Sequence, residues 1–156
     1  MKKLSFFLFS FFFIGCSTSE SKIKSLKYNF ESMSFDVVEK DLIIEKEIPD
    51  NVKILINEWF NNKIKINGFD GQMIFKITEY TESVSSIQDG KKVEIYLSFK
   101  VILDKSHISQ KKIIDGEVFS YGTLTGNFSL SDFDEIIKNT QGDLILRLSR
   151  DLKSKF

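Results

Sequence analysis

One histidine, one cysteine, one proline and one tryptophan are all that this chain of 156 residues has of those four types. Metal sites built from side chains need several ligands, and histidine and cysteine supply most of them, so a lone His107 and a lone Cys16 do not make one. A single cysteine also excludes a disulfide within the chain. His107 lies in the polar stretch Asp104-Lys105-Ser106-His107, with no nucleophile that it could orient, and reads as a solvated turn residue. Charge of one sign is missing as well. The 22 basic side chains balance 22 acidic ones and alternate with them, which leaves no basic face and argues against nucleic acid as a partner. The glycines at 116, 122 and 126 fit neither glycine-rich phosphate pattern and are read as strand and turn geometry. Glu45 and Glu47 read as solvated charge, and Asp132, Asp134 and Glu135 as complements of a helix N-terminus, so neither group is taken as an acid–base pair. No catalytic residue, metal ligand or dissociable cofactor is assigned, and the chain is expected not to be an enzyme.

Long apolar runs are absent but for one. Lys2 and Lys3 precede the run Leu4 to Ile14, which holds six of the sixteen phenylalanines of the chain and ends at Gly15-Cys16. A bilayer span needs roughly 20 apolar residues, whereas the apolar core of a secretory signal has roughly 7 to 15. Residues 1–15 are therefore expected to be a signal segment. Their removal leaves 141 residues, enough for one domain with its own core, with 20 basic and 22 acidic side chains. Residues 16–25 are small, polar and charged, without hydrophobic periodicity, and are expected to be a flexible tether to a single domain at 26–156.

Within that domain the hydrophobic period changes three times. Leu26, Tyr28, Phe30, then Phe35, Val37 and Val38, alternate as one or two strands, continued by Leu42 to Ile44. Pro49-Asp50 predicts a helix start with Asp50 as cap, and Val52, Leu55, Ile56, Trp59 and Phe60 form its apolar stripe. After the turn Gly68-Phe69-Asp70-Gly71 the period becomes two. Met73, Phe75 and Ile77 define the inner face of a strand over 72–82, with Lys76, Thr78, Tyr80 and Glu82 outward, and Gln88-Asp89-Gly90 closes a hairpin. Val93 to Leu103 is the strongest alternation and predicts a central strand. Residues 111–124 predict an edge strand in which Gly116 and Gly122 mark a bulge, bend or close backbone approach. Ser131-Asp132-Phe133-Asp134 predicts the cap of a second helix, whose Gly142 allows a kink. The order implies an α+β, two-layer domain: strand, helix, three antiparallel strands, helix, with both helices on one face of a roughly four-stranded sheet. The tyrosines at 80, 96 and 121 are expected on the open face, and with Trp59 they are the candidate partner interface.

Phe13 to Cys16, large apolar residues and then a glycine before the cysteine, resembles the lipobox of bacterial lipoproteins. The resemblance implies cleavage between Gly15 and Cys16, a thioether-linked lipid on Cys16, acylation of the new amino terminus, and a membrane partner through that anchor. Ser17 in place of an aspartate implies, by the same resemblance, sorting to the outer membrane, facing the periplasm. The element order is similar to lipopolysaccharide-assembly lipoproteins and to auxiliary lipoproteins of envelope ABC transporters. It also resembles short proteobacterial lipoproteins with a helix tryptophan and a glycine-containing turn, here Trp59, Gly68 and Gly71. These resemblances imply a non-enzymatic accessory in outer-membrane assembly or transport that binds an envelope protein. A periplasmic lipid or glycolipid-binding module is the alternative, and a small envelope enzyme the third reading.

Overall fold

Three strands of 16 residues dominate the computed structural model, which describes residues 30–105 and 110–156: β4 (Gln72–Ile87), β5 (Gly90–Lys105) and β6 (Gln110–Thr125). Before them come β1 (Met33–Phe35), β2 (Glu39–Ile44), α1 (Asp50–Lys63) and β3 (Ile64–Ile66), and after them α2 (Leu130–Ser154). The main sheet has the order β2-β4-β5-β6, with β2 parallel to β4 and the other pairs antiparallel. The α+β two-layer arrangement expected from the sequence is present, and the strand at 93–103 is interior and β6 an edge. Residues 64–66, directly after α1, form β3 and pair in parallel with β1 as a separate two-stranded sheet.

Burial of apolar side chains explains why the helices share a face. Met73, Phe75 and Ile77 of β4 and Val93, Ile95, Leu97, Phe99 and Val101 of β5 point to one side and are buried there. The stripe of α1 brings Val52, Ile56, Trp59 and Phe60 onto this layer, and α2 adds Leu144, Ile145, Leu148 and Leu152. Each such side chain contributes roughly 1.5–3 kcal/mol relative to exposure. At the centre, Phe75 stacks on Phe99 with 5.4 Å between ring centroids, and Trp59 meets Phe75 edge-on at 5.5 Å. Gly116 lies opposite Phe99, where an added Cβ would collide with that ring, and a Cβ on Gly122 would press into Thr140 and Ile136 of α2. The ladder to β5 runs through both glycines without a register shift, so they mark close approach and not a bulge.

Both helix starts differ from the sequence expectation. α1 has Pro49 as its cap residue, whose carbonyl accepts from the N–H groups of Val52 and Lys53. Asp50 sits inside the first turn and makes no capping bond; it is an anion near the positive helix end and pairs with Lys53 at 3.5 Å. The far end of α1 is capped by Lys40 from β2, whose Nζ donates to the carbonyl oxygens of Phe60 and Ile64. Burial, and then the nearby Lys65, push its pKa below the usual lysine value. For α2 the capping box is Ser129 with Asp132, two residues before the expected one. Asp132 N–H donates to Ser129 Oγ at 3.2 Å, and Ser129 N–H donates to Asp132 Oδ2 at 2.7 Å. Two Ser-x-x-Asp patterns overlap here, and the earlier one lets the Phe133 N–H bond the Ser129 carbonyl and lengthens the helix. Helix α2 continues unbroken through Gly142.

Phe75→Ala should destabilise the domain by about 3–5 kcal/mol through loss of the central stack, measured by urea unfolding followed through Trp59 emission. Acid should act at the α2 cap. The backbone N–H of Ser129, and then its hydroxyl, hold the Asp132 carboxyl below its ordinary pKa. Its contribution is thus present above the unfolded-state pKa and lost as pH falls through the folded one. Asp132→Asn should therefore be less stable than the parent at neutral pH, with the gap closing in acid; a gap independent of pH would contradict the assignment.

Candidate functional site

Strand parity decides which side chains can meet a partner. Along β4 the register to β5 shifts between Ile77 and Glu79, a bulge that inserts one residue at Thr78. Because side chains alternate, one extra residue exchanges the two faces. Before the bulge Phe75 and Ile77 point toward the helices; after it Tyr80 and Glu82 do, opposite the buried Leu97 and Ile95. Tyr80, expected on the open face, is thus on the helix side and packs against the core. Its hydroxyl donates to Glu82 at 2.6 Å, Gln141 Nε2 of α2 donates to the same carboxylate at 3.0 Å, and Asn51 Nδ2 of α1 donates to Gln141 Oε1 at 2.7 Å. Burial first, and then the Glu82 carboxylate, raise the Tyr80 pKa, so it stays a hydrogen-bond donor. This chain of groups joins β4, α1 and α2.

Trp59, the other candidate contact, is 1% exposed and lies in the core, where the apolar stripe of α1 carries it. Tyr96 and Tyr121 do share the open face. Cross-strand registers set Thr81 beside Tyr96 beside Phe119, and Ser83 beside Glu94 beside Tyr121, in adjacent rows. Phe119 and Tyr121 are 43% and 58% exposed, with near-parallel rings 6.1 Å apart. Lys92 Nζ sits 5.5 Å over the Tyr121 ring while bonding Glu94 at 2.7 Å, and Ser98 donates to the Tyr96 hydroxyl at 2.7 Å. A second apolar row, Ile74-Ile102-Ile113, crosses the same face. Phe119 and Lys92 were not singled out from the sequence, although aromatics at 119 and 121 around the inward Ser120 carried the signal in an i, i+2 pattern.

A cavity of about 550 Å³ opens at the opposite end of the strands from the hairpin tip, between β1, the end of β5 and the end of α2. Met33, Phe35, Leu103 and Phe156 supply its apolar lining, and Lys105 and Lys153, paired with Asp36 and Glu31, stand at its rim. Among the described residues no group of three or more His, Cys, Asp or Glu side chains could hold a metal ion, and no helix is long and apolar enough to cross a membrane. Gly15, Cys16 and His107 lie outside the described residues.

No family model and no curated protein matches the sequence. Solved structures that it is similar to include bacterial lipoproteins. A minor lipoprotein from Acinetobacter baumannii is 11% identical, with 76% of this chain and 91% of that one covered and a TM-score of 0.47. The rare lipoprotein B from Shewanella oneidensis is 12% identical over 76% of this chain and 93% of that one, at 0.46. An uncharacterized lipoprotein B from Nitrosomonas europaea gives 9% identity, 78% and 86% coverage, and 0.42. At these scores the likeness decides neither family nor function.

The Tyr80-Glu82-Gln141 chain makes a stability prediction. Glu82→Ala strips the acceptor from two half-buried donors and should destabilise by about 1–3 kcal/mol. Adding Tyr80→Phe, which removes one orphaned donor, should then destabilise by less than Tyr80→Phe does in the parent; a thermodynamic cycle of urea midpoints measures the coupling.

Proposed function

We propose that the protein is a lipid-anchored envelope lipoprotein, held at the outer membrane on its periplasmic side through acyl chains on Cys16. There it serves as a non-enzymatic accessory in envelope assembly or transport by binding another envelope protein. The observation that carries the protein-binding part is the open sheet face. Tyr96, Phe119 and Tyr121 form a half-exposed aromatic cluster there, with Lys92 and Glu94 beside it. Aromatics among polar neighbours are the usual energetic centre of protein interfaces, and strand parity turns these rings away from the helices, where a partner can reach them. The anchor is supported by the lipobox resemblance at residues 13–16. More than one acyl chain is needed for stable anchoring, so diacylation of the new terminus would hold a nearly neutral domain at a membrane without a basic patch.

The cavity lined by Met33, Phe35, Leu103 and Phe156 favours a second reading, in which the domain binds a lipid or glycolipid. One experiment separates the two. A photocrosslinking residue placed at Phe119 or Tyr121 in cells should capture one discrete envelope protein, and Cys16→Ser, which prevents acylation and releases the chain or leaves it uncleaved, should abolish that adduct. Extraction of a stoichiometric lipid with no crosslinked protein would favour the second reading. Unacylated parent protein in the soluble fraction would sink the anchor.

A further inference from the structure

Phe69 is 99% exposed, which leaves it without any packing role in the domain. Its turn is nevertheless built to hold it outward. Asn67 N–H bonds the Phe35 carbonyl at 3.0 Å, Gly68 N–H bonds that of Val37 at 3.1 Å, and on the other side the Gly71 carbonyl accepts from Val38 N–H at 3.1 Å. Both glycines are required by this geometry: a Cβ on Gly68 would collide with the backbone of Asp36 and Val37, and Gly71 has φ +85°. Val38 and Ile66, both exposed, flank the turn and widen the apolar tip.

The position of the turn indicates what it meets. Phe30, where the preceding 29 residues join the described domain, leads into β1, and Phe35 at the end of β1 and Val37 just after it carry the hydrogen bonds to the turn. The tip and the chain entry are therefore at one end of the domain. Thirteen residues lie between Cys16 and Phe30, fourteen Cα steps, so a lipid on Cys16 keeps that end within about 50 Å of the bilayer even at full extension. Charge is mixed at this end: Lys105 pairs with Asp36 and Lys153 with Glu31, and the tip itself carries one charge of each sign, Lys65 beside Ile66 and Asp70 beside Phe69.

We infer that the Phe69 turn, with Val38 and Ile66, is a membrane-contact site that inserts into the interface of the bilayer bearing the lipid anchor and sets the domain with its chain-entry end down. The inference rests on the anchor reading for its choice of a bilayer as the occupant. Insertion is driven by apolar area and not by anionic headgroups. In this orientation the open sheet face stands roughly along the membrane normal, with its aromatic cluster toward the far half of strands about 50 Å long.

The test compares the two most exposed apolar positions of the domain, one at each end. Phe69→Trp and, separately, Leu130→Trp are made in the full chain, which is recovered from membranes and reconstituted into phosphatidylethanolamine–phosphatidylglycerol vesicles with brominated acyl chains. Leu130 is 84% exposed and lies beyond the hairpin end, and Trp59, being buried, gives a constant background. The Phe69→Trp protein should show a blue-shifted emission and several-fold more bromolipid quenching than the Leu130→Trp protein, unchanged at high salt. Equal quenching at both positions, quenching at neither, or quenching abolished by salt would overturn the assignment. The mass of the N-terminal peptide reports acylation separately. If Cys16 proves unacylated, quenching of Phe69→Trp in chain mixed with the same vesicles still supports the contact site, while an acylated chain with solvent-like emission from that variant overturns it and leaves the anchor standing.

Discussion

Phe75 and Phe99 lie face to face across the β4–β5 ladder, and the layers of the domain are arranged about that pair. Trp59 and Phe60 bring α1 down onto Phe75, and Gly116 gives up its side chain so that the Phe99 ring has room. Lys40 ties the end of α1 back to β2, and its half-buried amine also rests 4.9 Å over the Phe60 ring. Because both helices are committed to this face, the other face of the sheet is left to water. The functional surface of the protein is thus a consequence of how the core is satisfied.

The bulge at Thr78 then divides the long hairpin into two regions with different chemistry. On the near side the helix-facing residues of β4 are wholly apolar; beyond it they are Tyr80 and Glu82, held by Gln141 and Asn51. A polar chain of this kind is stable only when every member has a partner, and that requirement specifies the relative placement of α1, α2 and β4 at this end. The open face is affected in the opposite sense. Tyr80 is withdrawn from it, and the aromatic cluster there is centred on Tyr96 of β5 and on Phe119 and Tyr121 of the edge strand β6.

In the proposed arrangement the two ends of the strands have separate tasks. The chain-entry end carries the anchor connection, the mixed-charge cavity and the Phe69 turn, and the open face carries the aromatic cluster. Near-neutral charge is consistent with this division, since neither lipid anchoring nor apolar insertion relies on a cationic surface. A domain held by its own lipid also meets a membrane-resident partner at high effective concentration, so a modest aromatic patch suffices for association.

Much of the architecture was legible in the sequence because it rests on local period. The alternation from Val93 to Leu103, the stripe from Val52 to Phe60 and the hairpin at Gln88-Asp89-Gly90 each specify an element from neighbours a few residues apart, and each is present. The proposed address of the protein rests on a local reading as well, that of residues 2–16. What local period could not reveal was parity past an irregularity: nothing around Thr78 announces that one residue is unpaired, because a bulge is decided by the ladder that forms with β5. The two caps also differ, Pro49 serving in place of Asp50 and Ser129 in place of Ser131, in each case through local hydrogen bonds that begin the helix one or two residues earlier. Sequence by itself determined the two helices, the three long strands and, up to the bulge, which of their faces are apolar. Tertiary structure alone decided that Tyr80 faces the helices and not water, since one inserted residue is invisible to composition and reverses every side chain that follows it in β4.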